Sequence, residues 1–140
     1  MATKMKFNMI EVGQEVPELK ITYTPEKNKY YNRVVKEINP LHFNLNYAKS
    51  LGYRNIVIAG VFTYSFFIKI VKDWLGESGL IRDLEIFFKN PAHENDVVIH
   101  KGKVIDKHIK DNKKLIKCEI WSEDKDGVQL ANAKLNIEIK

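Results

Sequence analysis

The chain has 140 residues, of which 44% are hydrophobic and 29% are charged. These values are typical of globular proteins and the length is close to that of a common domain, so we predict one domain over residues 1–140. A chain of this size can bury enough surface to be stable without a metal or a disulfide. The single cysteine, Cys118, excludes an intrachain disulfide and is typical of a reducing compartment.

Charge and hydropathy disfavour several classes of function. The net charge is +5 and the lysines are spread over most of the chain, which would suit an anionic partner. No helix-turn-helix, zinc-finger or RNP pattern accompanies this charge, so we expect no nucleic-acid partner. Residues 1–30 lack the apolar core of a signal peptide, and the interrupted apolar run over residues 57–71 is short for a membrane span. We therefore expect a soluble, cytoplasmic protein that does not bind a membrane.

The N-terminal part is predicted to contain a strand and two helices. Residues 16–24 alternate apolar and polar side chains, which indicates a strand. Thr24 and Pro25 are typical of the N-cap and the first residue of a helix, which we predict over residues 26–37. This helix is predicted to be amphipathic, with an apolar face made of Tyr30, Tyr31, Val34 and Val35. A second, short helix is predicted over residues 46–51.

A long apolar helix and four strands are predicted to follow. Residues 61–75 are apolar on almost every side over the first three turns, and such a helix must be surrounded by other structure. Strand-like patterns separated by turn-rich segments cover residues 80–88, 96–106, 113–121 and 128–139. Consecutive strands joined in this way form an antiparallel meander. The sequence therefore predicts an α+β hot-dog fold, in which a curved antiparallel β-sheet wraps around a long central α-helix.

The loop between the two early helices carries the most specific motif of the chain. Its sequence Asn39-Pro40-Leu41-His42 resembles the Asn-Pro-Ile/Leu-His core of the MaoC-like family of hot-dog dehydratases and (R)-specific enoyl-thioester hydratases. Further matching segments follow in the order of the family, at residues 46–49, 52–53, 58–61, 88–91 and 96. The resemblance covers residues 10–139, and the ordered set is more specific than the short motif.

The resemblance implies acid–base chemistry on a thioester. Dehydration of a 3-hydroxyacyl thioester needs a base, an acid for the departing hydroxyl, and donors to the thioester oxygen. In the family an aspartate and a histidine five residues later hold the water between them; His42 matches that histidine and Glu37 stands at the aspartate position. The extra methylene can move the carboxylate by about 1 Å, a misplacement that can lower a rate on the order of a hundredfold. Alternatively, Glu37 is only a solvated residue that closes a helix.

Gly60 is the candidate for binding the thioester carbonyl. A glycine at a helix N-terminus lets its backbone N–H point at that oxygen, and the helix dipole assists. Alternatively, Gly60 is needed only for close packing of the helix on the sheet. The family often has a histidine immediately before this glycine, where this chain has Ala59. Asn39 and Pro40 are predicted to support the loop, with Asn39 capping the turn.

We expect no metal and no cofactor. The remaining histidines, His93, His100 and His108, fall on predicted strands or turns without the cysteine or carboxylate spacing of a zinc site. Among the four histidines, His42 is the one to which the resemblance assigns a chemical role.

The activity that the resemblance implies is that of a hydro-lyase. It would hydrate trans-2-enoyl thioesters and dehydrate (3R)-3-hydroxyacyl thioesters of coenzyme A or acyl carrier protein in fatty-acid metabolism, with His42 and Glu37 as the acid–base pair. The departures at Glu37 and Ala59 favour a second interpretation, a non-catalytic acyl-thioester-binding subunit of a heterodimeric dehydratase. A hot-dog thioesterase is a third. An unpaired sheet edge predicts a homodimer, or a heterodimer with another hot-dog subunit, and the resemblance places active sites near that interface.

Overall fold

A computed structural model describes residues 5–140 and contains three α-helices and five β-strands among them. One strand and then the three α-helices occupy the first half of these residues, and the other four strands occupy the second. The helices are α1 (Pro25–Val35), α2 (Leu45–Ser50) and α3 (Gly60–Leu75). The strands are β1 (Glu15–Thr22), β2 (Gly79–Phe88), β3 (Val97–Lys110), β4 (Lys113–Asp124) and β5 (Gln129–Ile139).

The five strands form one antiparallel sheet in the order β1-β3-β4-β5-β2. Strand β5 returns along β4 and lies between β4 and β2, with Leu84 and Ile116 facing Leu135 and Ile137. Strands β1 and β2 therefore form the two edges of the sheet, and each of them pairs on one side only within the described residues. The predicted strands are confirmed, although β3 extends four residues beyond its predicted end. The predicted meander holds only for β3, β4 and β5, because β2 pairs with β5 and not with β3.

Helix α3 packs on one face of the sheet and supplies the centre of the hydrophobic core. Phe67 and Leu75 are completely buried, and they belong to one cluster with the inward side chains of β4 and β5. The inward residues of these strands alternate with outward ones, as the pleat of a strand requires. The predicted hot-dog arrangement, a sheet around a long central helix, is confirmed. Within residues 5–140, none of the helices is long and apolar enough to cross a membrane.

Helix α1 begins as the sequence predicts but buries a different face. The Thr24 hydroxyl accepts a hydrogen bond from the Lys27 backbone N–H at 3.2 Å, and the helix ends two residues earlier than predicted. Of the predicted apolar face, Tyr30, Val34 and Val35 are exposed, and Tyr31 is half-buried because it stacks on Phe62, with ring centroids 4.2 Å apart. The buried residues of the helix are Asn28 and Asn32. The predicted apolar contact face is therefore wrong, because the buried side is occupied by side chains that hydrogen-bond to the following loop.

His100 on β3 is an uncharged histidine in the core. Its ring lies against Phe66 and Phe67 of α3, with centroids 5.2 and 5.6 Å away, and neither ring nitrogen has a hydrogen-bond partner within the described residues. Burial therefore lowers the pKa of His100 from 6.5 to about 4.

Acid is expected to destabilise the fold through this residue. Between pH 6.5 and 4, His100 is protonated in the unfolded chain but remains neutral in the folded one. As the pH is lowered through this range, the free energy of unfolding should therefore decrease by about 3 kcal/mol. Urea unfolding at several pH values should show a flatter dependence for His100→Leu than for the unchanged protein. The exposed His108 on the same strand gives the control, His108→Leu. An equally steep dependence in His100→Leu would contradict this assignment.

Candidate active site

The loop between α1 and α2 is shaped by its own side chains. Lys36, directly after α1, has the left-handed backbone conformation (φ 55°), which turns the chain away from the helix axis. The Glu37 carboxylate oxygen Oε1 accepts the backbone N–H groups of Ile38 and Asn39 at 3.1 and 3.0 Å. The Asn39 side chain accepts the N–H of Leu41 at 3.1 Å and thereby caps a short 3-10 turn over Pro40–His42. Asn39 thus makes a local backbone contact within the loop.

The imidazole of His42 is held at one nitrogen. Its Nδ1 atom lies 2.8 Å from the carbonyl oxygen of Val57. Because a carbonyl oxygen can only accept, Nδ1 carries the proton in the neutral ring, and Nε2 is left with a lone pair. Nε2 makes no hydrogen bond within the part of the chain that the structure describes. The free nitrogen can therefore accept a proton from a bound molecule.

A cavity of about 480 Å³ lies beside His42. Its wall is mostly apolar and includes Ile58, Phe88 and Leu130, and His42 and Gly60 lie on the same wall. The volume is within the range of sites for small molecules and cofactors. Two of the predicted site residues, 18 positions apart in sequence, therefore meet at one apolar cavity.

Gly60 begins α3 at the edge of this cavity. A Cβ atom at this position would lie 2.8 Å from Cζ of the Phe88 ring, so the glycine leaves room for this ring at the end of β2. The backbone N–H of Gly60 donates to no acceptor among residues 5–140. Both interpretations of this glycine, close packing and a free donor at a helix N-terminus, therefore agree with the geometry.

Glu37, Asn39 and Pro40 are not among the described residues that line the cavity. The Glu37 carboxylate faces the backbone of its own loop. The pKa of Tyr31 is raised mainly by burial and, to a smaller extent, by the negative charge of Glu37. Of the site residues that the sequence analysis proposed, the structure therefore brings His42 and Gly60 together at the cavity and leaves Glu37 outside its lining. The described residues hold no cluster of three or more histidine, cysteine, aspartate or glutamate side chains that could bind a metal ion.

The structure adds polar residues that the sequence analysis did not single out. Thr63 lines the cavity, and its hydroxyl lies 3.1 Å from the hydroxyl of the fully buried Tyr23. Burial raises the pKa of Tyr23 to about 12, so this pair is uncharged at neutral pH. Asn28 and Asn32 bind the backbone carbonyl of His42. No local sequence pattern predicts these contacts, because each of them joins residues that are 10 or more positions apart in the chain.

The sheet wrapped around α3, with a histidine-bearing loop at a cavity by the helix N-terminus, defines a hot-dog protein. The chain belongs to the MaoC-like domain family, whose sequence model matches residues 8–125.

The chain is similar to known proteins at low sequence identity. A curated relative is the mitochondrial 3-hydroxyacyl-[acyl-carrier-protein] dehydratase FERN of Solanum lycopersicum, 22% identical over 120 residues, which are 86% of this chain and 72% of that protein. The solved (R)-hydratase from A. caviae involved in PHA biosynthesis superposes with a TM-score of 0.83 at 17% identity, over 94% of this chain and 98% of that one. For the ChsH1-ChsH2 complex of Mycobacterium tuberculosis the TM-score is 0.82 at 22% identity, over 93% and 98% of the chains.

Proposed function

We propose that the protein is a hydro-lyase that reversibly hydrates trans-2-enoyl thioesters to (3R)-3-hydroxyacyl thioesters in the fatty-acid metabolism of the cytoplasm. The observation that carries this proposal is the meeting of His42 and Gly60 at one apolar cavity. His42 offers a proton acceptor, Gly60 offers a backbone donor, and the wall suits an acyl chain. The solved (R)-hydratase and the dehydratase relative support the same class of reaction.

His42 Nε2 removes or returns the proton in the proposed reaction. In the hydration direction, Nε2 takes a proton from water as the oxygen bonds to C3 of the enoyl group. Protonated His42 then delivers this proton to C2, so the product contains the atoms of one water molecule, the histidine returns to its neutral state and no redox partner is involved. The N–H of Gly60 donates to the thioester carbonyl oxygen, on which negative charge develops between the two steps.

Glu37 is proposed as the second member of the acid–base pair. Its Oε1 atom is already bonded to two backbone N–H groups, which leaves Oε2 for water. A carboxylate at this point would balance the charge of a protonated His42. Since Glu37 does not line the cavity, this role requires one water molecule to contact both Oε2 and His42 Nε2.

Turnover of thioesters tests the function. The protein is expected to consume crotonyl and longer trans-2-enoyl thioesters, measured as the loss of absorbance of the conjugated thioester, with coenzyme A or acyl carrier protein as the carrier. Comparing the two carriers at equal acyl length will identify the one it uses. Absence of turnover with both carriers, in a protein shown to be folded, would refute a hydro-lyase. Release of free thiol from the same substrates would instead indicate a thioesterase.

A second candidate function is favoured by the position of Glu37. If the carboxylate never reaches the cavity, the chain would bind acyl thioesters without converting them and would act beside an active hot-dog subunit. Its similarity to one chain of the ChsH1-ChsH2 complex is consistent with such a role. Copurification with a second MaoC-like chain, together with inactivity alone, would favour this interpretation over the first.

We further propose that the chain forms a homodimer or a heterodimer through an edge of its sheet. Strand β2 pairs only with β5 among the described strands, so its other side presents unpaired backbone groups, and Phe87 on this strand is exposed. Exposed edges of this kind are usually covered in native proteins. Light scattering at micromolar concentration is expected to give about twice the mass of one chain. A strict monomer under these conditions would contradict the proposal.

A further inference from the structure

Helix α1 buries two asparagines although its sequence offers apolar side chains. Asn28 is 1% exposed and Asn32 is 9% exposed, whereas Tyr30 and Val34 are 68% and 60% exposed. The side-chain oxygen of each asparagine has no hydrogen-bond partner within residues 5–140. A buried polar atom without a partner lowers stability. The placement of these two residues is therefore not explained by the stability of the helix.

Both asparagines donate to the same acceptor, the backbone carbonyl oxygen of His42. The distances from this oxygen are 2.7 Å to Asn32 Nδ2 and 3.0 Å to Asn28 Nδ2. A carbonyl oxygen has two lone pairs, so the two amides occupy both of them. They hold the His42 peptide from the side of the helix.

The donor group of Asn28 is oriented by a second contact. Asn28 Nδ2 lies 2.7 Å from Oε2 of Glu94, which turns the amide nitrogen rather than its oxygen towards the loop. Glu94 is anchored in turn, because its N–H donates to the carbonyl of Ile56 at 2.9 Å and its own carbonyl accepts from the Asn55 side chain at 3.2 Å. Asn55 and Ile56, which contact Glu94, directly precede Val57, and the carbonyl of Val57 holds the imidazole of His42.

We propose that Asn28 and Asn32 are positioning residues for His42, with Glu94 orienting Asn28. The asparagines hold the peptide and Val57 holds the ring, so the imidazole is attached at two points and takes one orientation beside the cavity. Neither asparagine lines the cavity, so both act through His42. The inference rests on the proposed catalytic role of His42. Since a misplacement of about 1 Å can lower a rate roughly a hundredfold, loss of one of the two hydrogen bonds should lower kcat about tenfold.

Asn32→Leu tests this role in the full-length protein. The change removes the donor together with the unpartnered oxygen and keeps a similar branched shape. We expect kcat to fall about tenfold with KM changed by less than roughly twofold, since the cavity wall is intact. The free energy of unfolding should change little, because the lost hydrogen bond to His42 is offset by removal of a buried oxygen that has no partner. Asn46→Leu, the same change at an exposed position of α2, is the matched control, and Asn32→Ala replaces Asn32→Leu if the larger side chain prevents folding.

The tautomer of His42 provides a readout that does not depend on turnover. Nitrogen NMR of the protein without substrate is expected to show a neutral ring protonated at Nδ1, and a mixture of the two tautomers in Asn32→Leu. The positioning role would be overturned if Asn32→Leu left kcat unchanged or left the tautomer of His42 unchanged. It would also be overturned if the variant lost activity only to the extent that it lost stability. If the unchanged protein has no turnover but its fixed tautomer is lost in Asn32→Leu, the proposed function fails and the positioning role is supported.

Discussion

His42→Asn is expected to lower kcat/KM by about a thousandfold, within the range usual for loss of a general acid–base group. The asparagine amide can still donate to the carbonyl of Val57, which His42 Nδ1 approaches to 2.8 Å, so the loop should keep its conformation. Nothing in the new side chain replaces Nε2 at the cavity. Steady-state kinetics with a trans-2-enoyl thioester measure the effect, and thermal unfolding checks that the fold is intact.

The control for this variant is His108→Asn. His108 is exposed on β3, where it pairs with Asp106, and it does not line the cavity. This variant should retain full turnover. A loss of less than about tenfold in His42→Asn would show that proton transfer does not depend on this histidine.

Glu37→Gln is expected to lower kcat by about a hundredfold or more. Glutamine retains an oxygen that can accept the backbone N–H groups of Ile38 and Asn39, so the loop is preserved while the charge is removed. What disappears is the carboxylate that would position water and balance a protonated His42. The same thioester assay measures the loss of kcat. As with His42→Asn, the loss should come from the proton-transfer step.

Glu37→Asp separates geometry from charge. The shorter side chain restores the residue that the family has at this position; activity should rise if the extra methylene impairs the site and fall if the loop has adapted to glutamate. Unchanged turnover in Glu37→Gln would assign Glu37 to the loop backbone alone. That result would refute the proposed acid–base pair of His42 and Glu37 without affecting the assignment of the fold.

The elements of the fold are predicted well because their signals are local. In β3, β4 and β5, buried and more exposed side chains alternate because one face of the pleated sheet is buried. This alternation can be recognised from a few neighbouring residues of each strand. The continuous apolar character of α3 likewise requires surrounding structure. Thr24 and Pro25 mark the start of α1 because capping involves only neighbouring residues.

The buried face of α1 could not be predicted in this way. Its apolar residues are exposed because Asn28 and Asn32 bind the carbonyl of His42, which is 14 and 10 positions away. Asn28 also reaches Glu94, 66 positions along the chain. Periodicity measures the hydrophobicity of a face, and it contains no information about a hydrogen-bond partner that only folding brings near.

By itself the sequence determined the hot-dog fold and the motif that places His42 in a loop before α3, because both depend on local pattern and residue type. Only the tertiary structure decided that His42 and Gly60 share one cavity, since packing of α3 against β2 brings Phe88 over the glycine. The tertiary structure also leaves Glu37 outside the lining of this cavity, although the contact that holds its Oε1 atom is local, with the backbone N–H groups of the next two residues. The directions of such polar side chains follow from the donors that surround them in the folded chain.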